Sequence, residues 1–141
     1  MENSFDQLKK HMQIFTSISE EEFHDSVQYF EEFSVKKKEM IKRAGTISTY
    51  NYFIVSGCIR LFFINQKGVE QTIDFAIENW WLTDLFSYIN QQNSEFYIQA
   101  VENSIIIKMS KTNEKILCQK HPIFNSYFKQ IYQKANAADQ M

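Results

Sequence analysis

Histidine is scarce in this chain and absent from the stretch between Ser34 and Met109 where its strands concentrate; His11, His24 and His121 are the only three. Each lies in a predicted helix or at its start, so no pair has the spacing of a metal site or of a base beside a nucleophile. Catalysis has no visible candidate, and no metal is expected. Cysteine is equally sparse. Cys58 and Cys118 stand far apart, whereas a small secreted scaffold uses several cysteines and a structural zinc site four ligands, so free structural thiols are the expectation. No apolar run approaches the roughly 20 residues that cross a bilayer. The opening Met1-Glu2-Asn3-Ser4-Phe5-Asp6 also lacks the basic-then-apolar order of a secretion signal. A cytoplasmic protein with no membrane partner is the expectation.

Net charge is only −2, which gives the chain no electrostatic footprint for nucleic-acid phosphates. The one basic cluster, Lys36-Lys37-Lys38 with Lys42-Arg43, reads as a solubilising run that guards a strand edge, the alternative being contact with an anionic partner. One proline and three glycines leave no room for Pro-rich or Gly-rich linkers, and no repeat is visible. Residues 1–141 therefore read as one domain.

What is present is a core. The apolar share is 44% and the aromatic share 16%, and a chain of this length buries roughly two-thirds of its unfolded surface. Residues 1–33 read as two helices: Phe5, Leu8, Met12 and Phe15 recur at helical spacing. Ser19 with Glu22 makes a capping box ahead of Phe23, Val27 and Phe30. Residues 34–110 switch to short β-branched and aromatic strands. Tyr52–Val55, Ser56-Gly57, Cys58–Ile64, Asn65–Gly68 and Val69–Phe75 predict a meander of hairpins, with glycines at the breaks because positive φ is cheap there. Trp81–Ile89 predicts a short helix capped by Thr83 or Asp84. Glu95–Val101 and Ser104–Met109 resume the strands.

Residues 111–141 read as helical, with Ser110 capping a helix through Leu117 and Pro122 at the first turn of the next. In that last helix Phe124, Phe128, Ile131, Ala135 and Ala138 step by four, three, four and three residues, the spacing of a seam against another helix. The partner is either the same helix of a second copy, giving a homodimer, or the chain's own barrel. Trp80-Trp81 is the most unusual local feature. Adjacent side chains on a strand end point to opposite faces, so one is expected in the core while the other lines a cavity or a partner surface.

The fold class is thus α+β, a barrel of strands between helical ends. A cupin enzyme has such a barrel but advertises paired histidines on its strands, which are missing here. The order of elements, together with Tyr52-Phe53-Ile54-Val55-Ser56-Gly57-Cys58-Ile59-Arg60, Lys67-Gly68-Val69-Glu70, Glu78-Asn79-Trp80-Trp81-Leu82-Thr83-Asp84-Leu85-Phe86-Ser87-Tyr88 and Ile98-Gln99-Ala100-Val101-Glu102, resembles the sensor domain of the Crp/Fnr family of bacterial transcription regulators. The likeness is greatest to the branch typical of Bacteroidetes-like sequences. It spans nearly the whole chain, and its motifs, soft one by one, are specific in this order.

The resemblance implies a cyclic-nucleotide-binding-like β-roll (a double-stranded jelly-roll barrel) with N-terminal helices and a long C-terminal dimerisation helix. It also implies an effector in the roll, often a cyclic nucleotide, whose phosphate rests on the short helix and on an arginine. Here Thr83-Asp84 stands where cyclic-nucleotide binders have Gly-Glu. Ser94-Glu95-Phe96 stands where they have the phosphate arginine, a small residue and alanine. Tight cyclic AMP or cyclic GMP binding is therefore not expected, and Trp81, Thr83, Asp84, Ser87, Ser94 and Phe96 are the expected lining of a site for some other small molecule. The iron–sulfur clusters of other members want about four cysteines, and near the barrel only Cys58 could ligate haem, so no cofactor is expected. The family's DNA-binding helix-turn-helix would follow the dimer helix; this sequence ends at Ala137-Ala138-Asp139-Gln140-Met141, so DNA contact is expected only through a domain not in this chain. The alternative function is a stand-alone dimeric interaction domain whose barrel is filled by its own aromatics.

Overall fold

The computed structural model describes residues 3–139, with side chains through Ala135. Helix α1 (Ser4–Phe15) starts at a capping box between Asn3 and Asp6, and α2 (Glu20–Ser26) starts at the box between Ser19 and Glu22. A 3-10 turn over Val27–Tyr29 leads into the strands. These are β1 (Glu31–Val35), β2 (Met40–Lys42), β3 (Thr46–Ile47), β4 (Tyr50–Ser56), β5 (Ile59–Ile64), β6 (Glu70–Ala76) and β7 (Trp81–Leu82). The short helix α3 (Leu85–Asn90) intervenes before β8 (Asn93–Ser94), β9 (Tyr97–Ala100) and β10 (Ser104–Ser110). Helices α4 (Lys111–Lys120) and α5 (Ile123–Asp139) complete the order.

The strands form two antiparallel four-stranded sheets, ordered β1-β10-β4-β7 and β2-β9-β5-β6, plus the small pair β3-β8. This is the β-roll with helical ends that the sequence predicts. The first strand starts at Glu31, three residues ahead of the expected break at Ser34, because the edge strand β1 opens with two exposed glutamates that carry no strand pattern.

The meander needs correction. β4 and β5 do not pair: β4 lies between β10 and β7, while β5 lies between β9 and β6. The Ser56-Gly57 break therefore carries the chain from one sheet to the other, and only β5–β6 is a hairpin. Gly57 makes the crossing with φ +102°, and a Cβ there would lie 2.2 Å from the Ser104 Oγ and 2.7 Å from the Asn103 carbonyl oxygen. No other residue type fits so close an approach.

The crossing also explains the unbroken apolar run in β4. Side chains alternate across a strand, and both faces of this sheet are covered. Phe53 and Val55, with Ile107 and Met109 of β10, face a helical layer built from Leu8, Met12, Leu117, Phe124 and Phe128. Tyr52 and Ile54 point the other way and meet Ile59, Leu61, Ile98 and Ala100 in the interior of the roll.

The apolar stripe of α5 sits in the first of these cores. Phe124 and Phe128 are 0% and 2% exposed within one chain, and Ile131 is buried beside them. These three seal the helices onto the chain's own sheet, one of the two partners that the spacing allows. Ala135 lies half-buried at the distal end, and Ala138 lies outside the residues whose side chains are described.

Candidate functional site

The short helix α3 is where the β pattern breaks, and Asp84, not Thr83, is its cap. The Asp84 carboxylate accepts from the Ser87 backbone N–H, and Asp84 is 3% exposed. Thr83 instead donates its hydroxyl to the Tyr50 carbonyl at 2.8 Å, which ties the β7 end to β4. Ser87, three residues after Asp84 and fully buried, accepts from the Ser48 N–H at 2.8 Å and donates to the Gln92 carbonyl. Ser87 thus holds the loops around α3 together.

Beneath this turn lies the most charged part of the interior. Lys42 belongs to the cluster read as a solvated run, yet it is 7% exposed. Its ammonium donates to the Phe96 carbonyl at 2.8 Å and to Ser94 Oγ at 3.3 Å, and lies 3.9 Å from the Asp84 carboxylate. Ser94 donates in turn to Asp84. A buried charge survives only when paired and hydrogen-bonded, and here one hydroxyl bridges both members of the pair. Burial lowers the Lys42 pKa below 10.5, while the carboxylates of Asp84 and Glu95 push it back up. Lys36, Lys37 and Lys38 are exposed as expected.

Above the pair opens a cavity of about 220 Å³ between the mouth of the roll and α5. Trp81, Thr83, Asp84 and Phe96 line it, joined by Asp74 and by Tyr132 from α5. Of the six residues expected to line a pocket, four do so; Ser94 and Ser87 stand behind the wall as supports. Ile131 and Ala135, predicted for a dimer seam, border the same cavity. Lys42, Asp74 and Tyr132 carry no local sequence signal, because strand pairing and helix packing alone bring them here.

Two of the wall residues are wired to the helices. Trp81 donates its indole N–H to the Tyr127 hydroxyl at 2.8 Å, and that hydroxyl lies 2.7 Å from His11 Nδ1. With its hydrogen-bonding oxygen taking the indole proton, Tyr127 is left to donate to His11, whose pKa burial lowers to about 4. On the other side Tyr132 and Tyr88, from α5 and α3, both donate to the buried Glu114 carboxylate of α4, Tyr88 at 2.9 Å. Trp80, by contrast, is half exposed and lines nothing in this cavity. Among the described residues no group of histidine, cysteine and carboxylate side chains could hold a metal, and no helix is long and apolar enough to cross a membrane.

The family profile of the cyclic nucleotide-binding domain matches residues 32–121, from β1 through α4. The chain belongs to that family. Solved cyclic nucleotide-binding folds resemble it throughout. A cyclic nucleotide-binding domain from Methylobacillus flagellatus is 15% identical with a TM-score of 0.81, over 96% of this chain and 79% of that one. The sensor domain of the transcriptional regulator DNR from Pseudomonas aeruginosa is 16% identical with a TM-score of 0.72, over 96% and 91%. The catabolite activator protein of Thermus thermophilus is 19% identical with a TM-score of 0.73, over 90% of this chain but 60% of its own. This chain therefore spans less than two-thirds of that regulator's length. No curated protein is detectably similar in sequence. At these identities the likeness shows a shared fold, which one of the neighbours uses as the sensor domain of a transcriptional regulator.

Proposed function

We propose that this domain is the effector-sensing part of a Crp/Fnr-type transcription regulator of the cytoplasm, without enzymatic activity, and that its effector is not cyclic AMP or cyclic GMP. The observation that carries the reading is the Lys42–Asp84–Ser94 cluster at the foot of the cavity. A cyclic phosphate needs a cation and free donors. Here the buried ammonium already faces a carboxylate of the chain itself, and the neighbouring hydroxyl donates to that carboxylate. An incoming phosphate would meet Asp84 first, in a setting where like charges are weakly screened. The cavity beside Thr83 favours a sensor over a barrel filled by its own aromatics, since an interaction module has no use for a polar-floored void at that place.

Isothermal titration of the 141-residue chain with cyclic AMP and cyclic GMP is expected to give no binding tighter than ~100 µM, an affinity of about −5.5 kcal/mol. Micromolar affinity for either nucleotide would overturn this reading. A homodimer through α5, along the sequence stripe from Phe124 to Ala138, completes the proposal. DNA contact would come from a further domain. Light scattering at micromolar concentration should give twice the 16.8 kDa chain mass, and a monomer mass at all concentrations rules the dimer out.

A further inference from the structure

The sheet β2-β9-β5-β6 has an outward face that the cavity does not use. Ile59 and Leu61 of β5 point into the roll, so Arg60 between them points outward, opposite Gln99 of β9 and Phe75 of β6. The β5–β6 register slips between Leu61 and Phe62, which sets Thr72 opposite Phe62 and leaves Ile73 as the extra residue. Thr72, Glu70 and Phe75 thereby share the face of Arg60, where strict alternation would part Thr72 from Phe75. Arg60 is spent within this face. Its guanidinium donates to Gln99 at 2.7 Å, to Thr72 at 3.0 Å and to Glu70 at 2.6 Å, and lies 3.9 Å from the centroid of the Phe62 ring.

An open groove of about 490 Å³ crosses these strands, and at one end of it stand Lys37 and Lys38 from the β1–β2 turn. Arg60 and Glu70 cancel, so the two lysines leave the groove with a net positive charge. Glu39 beside them spends its carboxylate on the Lys36 N–H, and among the described residues neither lysine side chain has an ion-pair or hydrogen-bond partner. Their backbone is nevertheless fixed. The Lys37 N–H donates to Asn103 Oδ1 at 2.9 Å, the Lys38 N–H to the Ala100 carbonyl at 2.8 Å, and the Gln99 amide to the Lys38 carbonyl at 3.0 Å. Lys38 also holds φ +74°, a left-handed value that glycine or asparagine adopts at lower cost. Strain of this kind points to a residue kept for its side chain.

We propose that the groove docks an extended acidic segment of a partner protein. Its carboxylates face Lys37 and Lys38, and an apolar side chain lies on Phe75, 49% exposed at the other end. From β2 to β6 the strand order makes three strand spacings, about 14 Å, the reach of roughly four or five extended residues. A free phosphate or dicarboxylate is too short to use both ends, and two lysines are too few for a nucleic-acid backbone. The proposal does not rest on the effector reading of the cavity.

Fluorescein-labelled peptides titrated with the full chain at low ionic strength, and read by anisotropy, test this. One is a run of glutamates followed by glycine and phenylalanine; the second ends in alanine instead, and the third replaces the glutamates by lysines. The acidic phenylalanine peptide is expected to bind ~5-fold or more tightly than the basic one. Lys37→Glu combined with Lys38→Glu, both on an exposed turn, should weaken it ~10-fold or more, while Lys115→Glu, the same reversal on the exposed side of α4, changes it less than ~2-fold. Phe75→Ala should cost the phenylalanine peptide ~3-fold or more and leave the alanine peptide unchanged. The proposal is overturned by no binding of the acidic peptide, by equal losses from the Lys37/Lys38 and Lys115 reversals, or by a Phe75→Ala effect equal on both acidic peptides. Displacement by inorganic phosphate that chloride at equal ionic strength does not reproduce would make the groove a small-anion site, and tighter binding of a labelled single-stranded oligonucleotide would make it a nucleic-acid surface; either result also overturns it.

Discussion

Replacing Asp84 by asparagine is expected to lower stability by about 3 kcal/mol at neutral pH, seen as a fall in the urea midpoint at unchanged slope. Asparagine keeps a side chain of the same shape beside Ser94 and can still cap α3. What it removes is the charge opposite Lys42, and an ammonium buried without a counter-charge is costly. The pH dependence separates this from a mere packing loss. Burial already holds the Lys42 pKa below 10.5, with Asp84 the largest influence opposing it. Without Asp84 the folded-state value falls further below the unfolded one. Between those two values the unfolded chain binds more protons than the folded chain, so stability rises with pH. The variant's deficit should therefore shrink as the pH is raised from 7 toward 10. Lys42→Met combined with Asp84→Leu should recover most of the loss, since apolar replacement of a whole buried pair is close to neutral or better. A single Asp84→Asn variant within 0.5 kcal/mol of the parent, on the order expected for a surface change, would mean that the pair does not hold the cavity floor.

Lys42 also marks the boundary of what the sequence discloses. The capping box of α2 is legible because Ser19 and Glu22 meet within one turn. The break at Ser56-Gly57 is legible too, since positive φ favours glycine wherever the chain goes next. Its destination is not. Whether β4 continues into β5 as a hairpin or crosses to the opposite sheet depends on β10, some fifty residues later, taking the place beside β4. Lys42 looks like one more solvated lysine until β2 pairs with β9 and brings Phe96 and Ser94 to it. The stripe on α5 was ambiguous for a related reason. A row of apolar residues every three or four positions states that one face is covered, without stating by what, and the chain's own Phe53 and Met109 cover it.

The candidate site divides along the same line. Thr83, Asp84, Trp81 and Phe96 sit in two stretches that interrupt the strand pattern, so their neighbourhood was readable. Tyr132 and Asp74 were not, because one comes from the packing of α5 and the other from a slipped register. Ser87 shares the motif of the lining residues, but its hydroxyl is consumed by backbone groups on either side. Position in a motif indicates nearness to the site, and only the hydrogen-bond partners decide which way the oxygen is spent.

Raising the pH above 10 is expected to unfold the domain within about two units, and the cause lies in four of its seven tyrosines. Tyr52, Tyr88, Tyr127 and Tyr132 all have pKa values raised above 10.0, in each case chiefly by burial. For Tyr88 and Tyr132 the negative charge of Glu114 adds to the effect, whereas the indole of Trp81 opposes it slightly at Tyr127. A phenol whose folded-state pKa lies above its unfolded value stabilises the fold below that unfolded value and ceases to do so as the pH climbs past it. Beyond pH 10 the unfolded chain gives up protons that the folded chain keeps. Each such group removes about 1.4 kcal/mol per pH unit, so four together remove about 5.6 kcal/mol per unit from a total of ~5–15. Tyrosinate absorbance from these four should therefore rise together with the loss of far-ultraviolet dichroism, not before it. Glu114→Gln tests the same network from the other side. It should destabilise at pH 7 by about 2 kcal/mol, because hydrogen bonds from Tyr88 and Tyr132 to a carboxylate become bonds to a neutral amide. Above pH 10 the stability of that variant should fall less steeply than the parent's, since no fixed negative charge then opposes the two nearest tyrosinates. If native dichroism persists while the full tyrosinate signal develops, the four hydroxyls are reachable by water in the folded domain and the tyrosine–Glu114 junction does not fasten α5 to α3.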